Sequence, residues 1–432
     1  MPPFRDRAGW YLGLSAFWFA NSAKWYILLL AILPGQVEAI VPGGEKNSQW
    51  GMVFAIGAIW ATIGPALFGH LSDRYGLRRG SRGPFIAIGA GLTVMALMFL
   101  MQANEMWMLV LGYLLLQISD DVGTGPYSAL IPELVPEDRR GKASGFMGML
   151  ELLAQITIAL IGLALGNPKL IYVALAAFNV ICALIVLATI RGATPLRAAG
   201  AAGTQQQPEQ TGGFFSGWLR PWKSRDFRWV WGTRFLGALG IYMIQPYLRF
   251  YLTDSVQTFE LLGRTITTDA GQATIILGMV ISLSGALGAL WAARVSDTWG
   301  KKRVIIAAGS LMFLIMVPFA LIPNFTLIFV LALIFGFGYG AYLSGGWALA
   351  ASVVPSHHEL GKDMGLWQMS YSSVQIFAGS AGMLIKWGNE THPGRGYTIT
   401  FLLASGIFLL STLLVRQVGE GVSAPHRLRR LG

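Results

Sequence analysis

Five ionisable residues interrupt long apolar stretches of this sequence, and these positions are best able to do chemistry. They are Lys24, Asp120, Asp121, Glu151 and Arg234. A charged side chain is costly in hydrocarbon, so a charge inside a membrane helix marks a pathway for an ion or a solute. The pattern indicates proton exchange and charge pairing within a membrane protein.

Composition supports a membrane location for these residues. Of the 432 residues, 54% are hydrophobic and 12% are charged, whereas charged residues make up about a quarter of a soluble protein. Runs of membrane-spanning length lie at roughly 9–34, 49–72, 84–103, 107–132, 143–165, 170–190, 227–253, 272–296, 304–322, 326–352, 363–386 and 396–416. The sequence therefore predicts an all-α membrane protein with about twelve transmembrane helices.

The twelve predicted spans form two sets of six. Residues 1–190 hold the first bundle and residues 227–418 the second, with a cytoplasmic tail at 419–432. The segment 191–226 is rich in Gly, Ala, Gln and Pro, which is typical of a flexible linker. "SDRYG" at 72–76 recurs as "SDTWG" at 296–300, and Gln155-Ile156 recurs as Gln375-Ile376. This repetition predicts two pseudo-symmetric six-helix bundles.

Basic residues divide unevenly between the two sides of the predicted membrane. About 24 Lys and Arg fall in the termini and the loops after even-numbered spans, and about 5 fall in the opposite loops. By the positive-inside rule, both termini are cytoplasmic, in a plasma membrane or a bacterial inner membrane. The same distribution explains the net charge of +11 without a nucleic-acid partner, since no continuous basic patch is present.

The loop after the second span resembles the cytoplasmic signature loop of the major facilitator superfamily. With six plus six spans and a second copy of the loop, the resemblance covers essentially the whole chain. It implies a cytoplasmic gate that switches between access states. A conserved turn after span 4 would contribute charges to the same gate. The gate residues implied are Gly69, Asp73, Arg74, Gly76, Arg78, Arg79, Asp297, Gly300, Lys301, Arg139 and Arg140. Solvated charges that only set the topology explain the same pattern.

A narrower resemblance concerns about thirty residues. "GPYSALIPELVPEDRRGKASG" at 125–145 and "GKDMGLW" at 361–367 are similar to segments of the glycoside-pentoside-hexuronide cation symporters and the sucrose-type proton symporters. This resemblance implies uptake of a sugar or glycoside driven by a proton or sodium gradient. Sodium coupling would place acids on span 2, yet residues 50–71 contain no Asp or Glu. This absence favours protons as the coupling ion, or a carrier without ion coupling.

The predicted coupling residues are the carboxylates of spans 4 and 5. At about 1.5 Å of rise per residue, Asp120 lies about 20 Å from either end of its helix and Glu151 about 15 Å from the turn before it. Neighbouring positions on a helix diverge by about 100°, so Asp120 and Asp121 cannot both face one cavity. We expect one of them to accept a proton and the other to pair with Lys24 or Arg234. A static buried ion pair is the competing interpretation.

Polar and aromatic residues within the spans are the candidates for solute binding. Amides bind sugar hydroxyls and aromatic rings pack on sugar C–H faces, although this mixture suits many amphiphilic solutes. Helix packing or lipid contact explains individual aromatic residues equally well. The candidates are Asn21, Gln117, Tyr127, Gln155, Tyr242, Gln245, Tyr342, Trp347, Trp367, Gln368, Tyr371 and Gln375. Pro246 predicts a kink in span 7.

Three other functions compete with sugar uptake. An enzyme is disfavoured because the sequence has no phosphate-binding loop, no His-Glu-x-x-His and no Gly-x-Ser-x-Gly. We expect no cofactor and no metal site, since the single cysteine, Cys182, stands alone. A receptor or assembly factor without transport activity would not need several midplane charges. An exporter of amphiphilic drugs or lipids remains open. For either an importer or an exporter, we expect the monomer to be the functional unit.

Overall fold

The computed structural model describes residues 7–41, 43–75, 82–128, 130–136, 139–191, 221–353, 366–367 and 369–419. The first half is entirely helical in these residues. Its helices are α1 (Ala8–Ile27), α2 (Leu33–Ile40), α3 (Glu45–Tyr75), α4 (Gly83–Met101), α5 (Met106–Ser128), α6 (Leu130–Leu134), α7 (Arg140–Leu165) and α8 (Pro168–Ile190). A π-helical segment, Leu28–Ile32, joins α1 to α2, so that residues 8–40 form one long span.

The second half repeats this arrangement. Its helices are α9 (Arg225–Tyr242), α10 (Leu248–Tyr251), α11 (Ala270–Trp299), α12 (Lys301–Leu321), α13 (Phe325–Val353), α14 (Val374–Ala378), α15 (Ser380–Thr391) and α16 (Arg395–Leu414). Short 3₁₀ turns lie at Pro221–Lys223, Gln245–Tyr247 and Val415–Gln417, and a second π-helical segment lies at Leu252–Val256. The break between α9 and α10 falls at Pro246, as predicted, because proline cannot donate a backbone hydrogen bond.

The predicted fold class is confirmed. Each of the twelve apolar runs is helical where the structure describes it, and nine described helices are long and apolar enough to cross a membrane. The other three spans hold the Asp120–Asp121 pair, several charges in α9, or the division between α14 and α15. Charged residues lower the hydropathy of the first two, and the third is divided into helices of 5 and 12 residues.

The two bundles use the same helix pairings. In the first, α3 and α4 pack on α5, and α1 and α4 pack on α8. In the second, α11 and α12 pack on α13, and α9 and α12 pack on α16. Between bundles, α3 contacts α14 and α15, while α7 contacts α11. Corresponding helices therefore occupy corresponding places, as internal duplication requires.

The π-helical segments also correspond. Leu28–Ile32 and Leu252–Val256 differ by 224 positions, which equals the offset between the two Ser-Asp motifs at 72 and 296. A π-helical turn inserts a residue and frees backbone carbonyls, and such turns concentrate at functional sites. Both halves thus deform their first span at the same level.

A short β-hairpin follows the second π-helical segment. Strands β1 (Phe259–Leu261) and β2 (Arg264–Thr267) pair antiparallel through the turn Leu262–Gly263. Both turn residues have positive φ angles, 52° and 82°, which suits the twist of a two-residue hairpin. The sequence did not predict this hairpin, because leucine rarely occupies such a position.

Charged and polar side chains join the two bundles at the end opposite the Ser-Asp motifs, which we call the outer end after the predicted topology. Lys46 binds Glu38 at 2.9 Å and Asp254 of the other bundle at 2.6 Å. Arg249 donates to Glu38 Oε2 and to the Ala31 carbonyl, both at 3.2 Å. Lys46 is 7% exposed. We call Glu38, Lys46, Arg249 and Asp254 the outer clamp.

Both π-helical segments contribute to the outer clamp. Asp254 lies in the second segment and accepts a hydrogen bond from the Tyr397 hydroxyl at 2.6 Å. Ala31, whose carbonyl accepts from Arg249, lies in the first. The clamp balances two cations with two carboxylates across the bundle interface. Opening the outer end must separate Lys46 from Asp254 and Arg249 from Glu38.

Replacing Lys46 should favour opening of the outer end. Lys46→Met leaves Asp254, whose side chain is 29% exposed, without its cation, and losing a hydrogen bond between charged groups costs about 1.5–3 kcal/mol. We therefore expect the outer-open fraction to rise about tenfold. Double electron–electron resonance would measure this between spin labels at Asn104 and Leu262, both exposed, in a Cys182→Ala background.

Lys386→Met provides the matched control. Lys386 pairs with Glu45 at 2.5 Å, but their side chains are 34% and 53% exposed, and exposed pairs contribute little. Equal distance distributions for Lys46→Met and Lys386→Met would contradict the clamp.

Candidate solute cavity and buried charge cluster

A cavity of about 510 Å³ lies between the two bundles. Helices α1 and α7 line it from the first half, and α9, α11, α12 and α13 line it from the second. Most of its surface is aliphatic or aromatic. The polar and aromatic side chains that line it include Trp18, Asn21, Ser22, Trp25, Tyr26, Glu151, Gln155, Tyr242, Gln245, Ser282, Phe319, Phe335, Tyr339, Ser344 and Tyr371. This volume is within the range of pockets for drug-sized ligands.

One face of α1 forms the first-half wall. Trp18, Ser22, Trp25 and Leu29 follow one another at intervals of three or four residues, the spacing of a single helical face. The indole of Trp18 donates to Glu151 Oε2 at 3.1 Å. Glu151 is the one formally charged side chain among the described residues lining the cavity.

The second-half wall is a group of tyrosines. The Tyr242 and Tyr371 rings lie 5.3 Å apart at 65°, and the Tyr339 and Tyr371 hydroxyls are 3.3 Å apart. Gln375 donates to the Tyr242 hydroxyl at 3.0 Å. Ser282 donates to Gln155 Oε1 at 2.7 Å and so joins α11 to α7 across the cavity. Several polar groups of this wall therefore bond to each other.

The two aspartates lie behind the cavity wall, inside the first bundle. Asp120 pairs with Lys24 and accepts a hydrogen bond from Trp25 Nε1 at 2.7 Å. Asp120, Asp121 and Lys24 are 4%, 3% and 1% exposed, and none of them lines the cavity. We call these three residues the charge cluster.

Asp121 points toward α3. A methyl group at Gly64 would overlap both Asp121 Oδ2 and Trp60 Nε1. Both of these atoms are buried with no hydrogen-bond partner among the described residues. The two carboxylates thus have different surroundings, as their divergent directions on the helix predict. Asp120 has a cation and an indole donor, whereas Asp121 Oδ2 has neither.

Lys24 is the partner of Asp120, whereas Arg234 contacts aromatic rings of the second bundle. Its guanidinium stacks on the Trp367 ring at 3.4 Å from the centroid and lies 5.5 Å from the Tyr371 centroid. Tyr342 donates to the Thr233 carbonyl beside it. Arg234, Tyr342 and Trp367 line a small side pocket of about 30 Å³ that shares Tyr371 with the main cavity.

The structure places the predicted solute residues in three groups. Asn21, Gln155, Tyr242, Gln245 and Tyr371 line the cavity. Gln117 and Tyr127 lie elsewhere in the bundles, and Tyr342 and Trp367 line the side pocket. Gln375 reaches the cavity only through Tyr242. Gln368 and the side chain of Trp347 lie outside the described residues.

Part of the predicted cytoplasmic gate can be located. Gly69 approaches Gly125 of α5, Gly300 precedes α12 with φ 89°, and Lys301 begins that helix. Arg139 is exposed beside α7. Gly76, Arg78 and Arg79, and the side chains of Asp73, Arg74, Arg140 and Asp297, lie outside the described residues.

A buried arginine joins three spans at this end. Arg82 donates to the Ser72 hydroxyl at 2.5 Å and to Glu133 Oε2 at 2.8 Å, and is 6% exposed. Ser72 belongs to α3, Arg82 precedes α4, and Glu133 belongs to α6 after span 4. Arg82 could not be singled out from the sequence, because it stands between two spans among other basic residues.

The sequence analysis also missed most aromatic residues of the cavity. Trp18, Trp25, Tyr26, Phe335 and Tyr339 line it, and none was among the candidates. The regular placement of Trp18 and Trp25 around Asn21 on one face of α1 was a usable signal. No comparable pattern distinguishes Phe335 or Tyr339 from residues that pack between helices.

Comparison with solved structures shows the fold. A bacterial homologue of the human lysosomal transporter Spinster, in an inward-facing and occupied conformation, has a TM-score of 0.70 at 14% identity, covering 98% of both chains. The nucleoside transporter NupG has a TM-score of 0.69 at 16% identity, covering 95% of this chain and 98% of that one.

Sequence comparison shows relatives among efflux proteins. Multidrug resistance protein MdtG of Klebsiella pneumoniae (strain 342) is 23% identical over 439 residues, covering 97% of each chain. The multi-drug resistance efflux pump PmrA homolog of Lactococcus lactis subsp. lactis (strain IL1403) is 24% identical over 338 residues, covering 76% of this chain and 77% of that one. The model of the Major Facilitator Superfamily matches residues 19–262 and 256–429. With most of its length matched and two six-helix bundles around a cavity, the chain belongs to the Major Facilitator Superfamily and is a multi-pass membrane transporter.

Proposed function

We propose that this transporter exports amphiphilic organic cations in exchange for protons. The observation that carries the proposal is the cavity, in which Glu151 is the one carboxylate among the described lining residues and stands within aliphatic and aromatic walls. The multidrug efflux names of its relatives support export over the sugar uptake that the sequence analysis favoured. Proton exchange would then replace proton symport.

The cavity suits a cation because its fixed charge is negative. A carboxylate in an apolar site is stabilised by a cation beside it, and aromatic rings attract cations through their faces. Trp18, Trp25, Tyr26, Tyr242 and Tyr371 provide such rings. An amphiphilic cation could place its charge near Glu151 and its apolar part against the aliphatic wall. Asn21 Oδ1, which is buried without a partner among the described residues, could accept an N–H of the solute.

The same cavity suits a sugar poorly. A sugar needs many hydrogen-bond partners at once, because each buried hydroxyl without one costs free energy. Gln155 is bonded to Ser282 across the interface, and Tyr242 to Gln375. The aliphatic surface would leave several sugar hydroxyls unsatisfied.

Proton coupling is supported by the charge count of the charge cluster. Two carboxylates and one ammonium carry a net charge of −1 when all are ionised, and such a charge is expensive at mid-membrane. Binding one proton neutralises the group. Asp121 is the better acceptor, since Asp120 is already paired with Lys24 and the carboxylates repel each other. Uptake of a proton from one side and its release on the other would supply the driving force.

The proposal predicts different behaviour toward a cation and a sugar. In proteoliposomes with an imposed proton gradient, we expect tetraphenylphosphonium to move against its concentration and radiolabelled sucrose not to move. Glu151→Gln should weaken tetraphenylphosphonium binding about tenfold, equal to about 1.4 kcal/mol, by isothermal titration calorimetry. Glu105→Gln is the control, since Glu105 is exposed at the outer end. Sucrose accumulation without movement of the cation would overturn the proposal.

A second prediction concerns the proton acceptor. Asp121→Asn keeps the side-chain shape and removes the titrating group, so cation binding should persist while gradient-driven accumulation falls at least about tenfold. Asp120→Asn instead leaves Lys24 unpaired and should lower the thermal unfolding temperature in detergent, because breaking a buried pair costs about 3–5 kcal/mol. Undiminished accumulation by Asp121→Asn would exclude Asp121 as the coupling residue.

A further inference from the structure

Trp25 is in contact with both the solute cavity and the charge cluster. Its side chain lines the cavity, and its Nε1 donates to Asp120 Oδ2 at 2.7 Å. Of the described residues lining the cavity, Trp25 alone donates a hydrogen bond to either aspartate. We propose that Trp25 transmits occupancy of the cavity to the carboxylate pair and thereby couples the solute to the proton. This inference rests on the proposed proton-coupled cation export.

Because the solute cavity and the charge cluster are separate, coupling between them requires a residue that contacts both. Asp120, Asp121 and Lys24 are buried away from the cavity, so a solute in the cavity cannot bind the carboxylates directly. A solute can alter proton binding only if it interacts differently with the protonated and deprotonated forms. Trp25 supplies that difference, because its ring is exposed to the solute while its N–H binds the carboxylate.

The sign of the coupling follows from the charge of the solute. A cation against the Trp25 ring is attracted by the ring face, and its positive field favours the ionised form of the aspartates. It also holds the ring in place, which preserves the N–H bond to ionised Asp120. Solute binding therefore promotes proton release. By linkage, proton binding weakens solute binding by the same factor, as exchange of the two across the membrane requires.

Among the described residues, the other groups near Asp120 and Asp121 do not also line the cavity, so the coupling role falls to Trp25. On α1, Lys24 pairs with Asp120 but does not line the cavity. Helix α3 brings Trp60 and Gly64 to Asp121, and its charged residues lie near its ends. Helix α4 has no charged residue. Glu151 of α7 lies in the cavity and is bound by Trp18, so its titration must be removed from any test.

The position of Trp25 along α1 extends its effect to the outer clamp. The π-helical segment Leu28–Ile32 begins three residues later. Leu29 and Leu30 of that segment line the cavity, and the Ala31 carbonyl accepts from Arg249 of the clamp. A movement of Trp25 with its helix would therefore reach the contact that closes the outer end.

Proton release on solute binding tests the inference. In Glu151→Gln protein, held in weakly buffered detergent with a pH indicator, saturating tetraphenylphosphonium should release about one proton per molecule bound. Adding Trp25→Phe keeps an aromatic ring in the cavity but removes the N–H donor. We expect proton release to fall at least threefold, while the Kd at alkaline pH changes less than threefold.

Trp18→Phe in the same background is the matched control. Trp18 also lines the cavity with its indole, yet its N–H bonds to position 151 and not to the charge cluster. Proton release should survive this change. Full proton release by the Trp25→Phe variant would overturn the inference, as would an equal loss from Trp18→Phe. If Glu151→Gln protein bound the cation without releasing protons, the coupling role of Trp25 would be wrong, but the proposed cation binding would still hold. If the wild-type protein bound no cation, both the inference about Trp25 and the proposed function would be wrong.

Discussion

One ammonium group facing two carboxylates inside the membrane is the constraint on which the rest of the structure depends. Lys24 pairs with Asp120, and Asp121 has no ion pair among the described residues. The first bundle must therefore tolerate a net negative charge or bind a proton. A protein that needed only to hold its helices together would gain more from apolar packing at these positions. In the proposed exchange, protonation of Asp121 would remove this net charge, and the difference between the two protonation states would bias the equilibrium between access states.

Access to that cluster is controlled by the duplicated architecture. The bundles share their helix pairings, and each deforms its first span into a π-helical segment at the corresponding level. Both segments supply groups to the outer clamp: the Ala31 carbonyl binds Arg249, and Asp254 binds Lys46. The clamp is charge-balanced and the cluster is not. In the proposed exchange, the proton acts on the cluster, while the clamp is the contact that must yield when the outer end opens.

The sequence predicted the fold well and the site only in part. Apolar runs and the repeated Ser-Asp motif predict twelve spans in two bundles, since bilayer thickness and hydrogen bonding leave few alternatives. Lys24, Asp120, Asp121, Glu151 and Arg234 could be picked out because charge is rare in hydrocarbon. Their partners could not be predicted, because helix rotation decides whether Arg234 faces Asp120 or Trp367. The narrow resemblance to sugar symporters favoured sugar uptake, whereas the multidrug efflux names of the relatives support export. The resembling segments, 125–145 and 361–367, contribute no residue to the described cavity wall.

In the proposed exchange, separation of the proton site from the solute site bears on which solutes would be exported. If a solute had to touch the titrating carboxylate, only molecules of one shape and hydrogen-bonding pattern would be coupled. With Trp25 between the cavity and Asp120, a solute need only present positive charge to an aromatic ring. A cation–π contact requires only a positive charge over the face of a ring, and aliphatic walls accept varied shapes. The proposed mechanism therefore allows broad solute tolerance together with proton coupling, because different side chains would provide them.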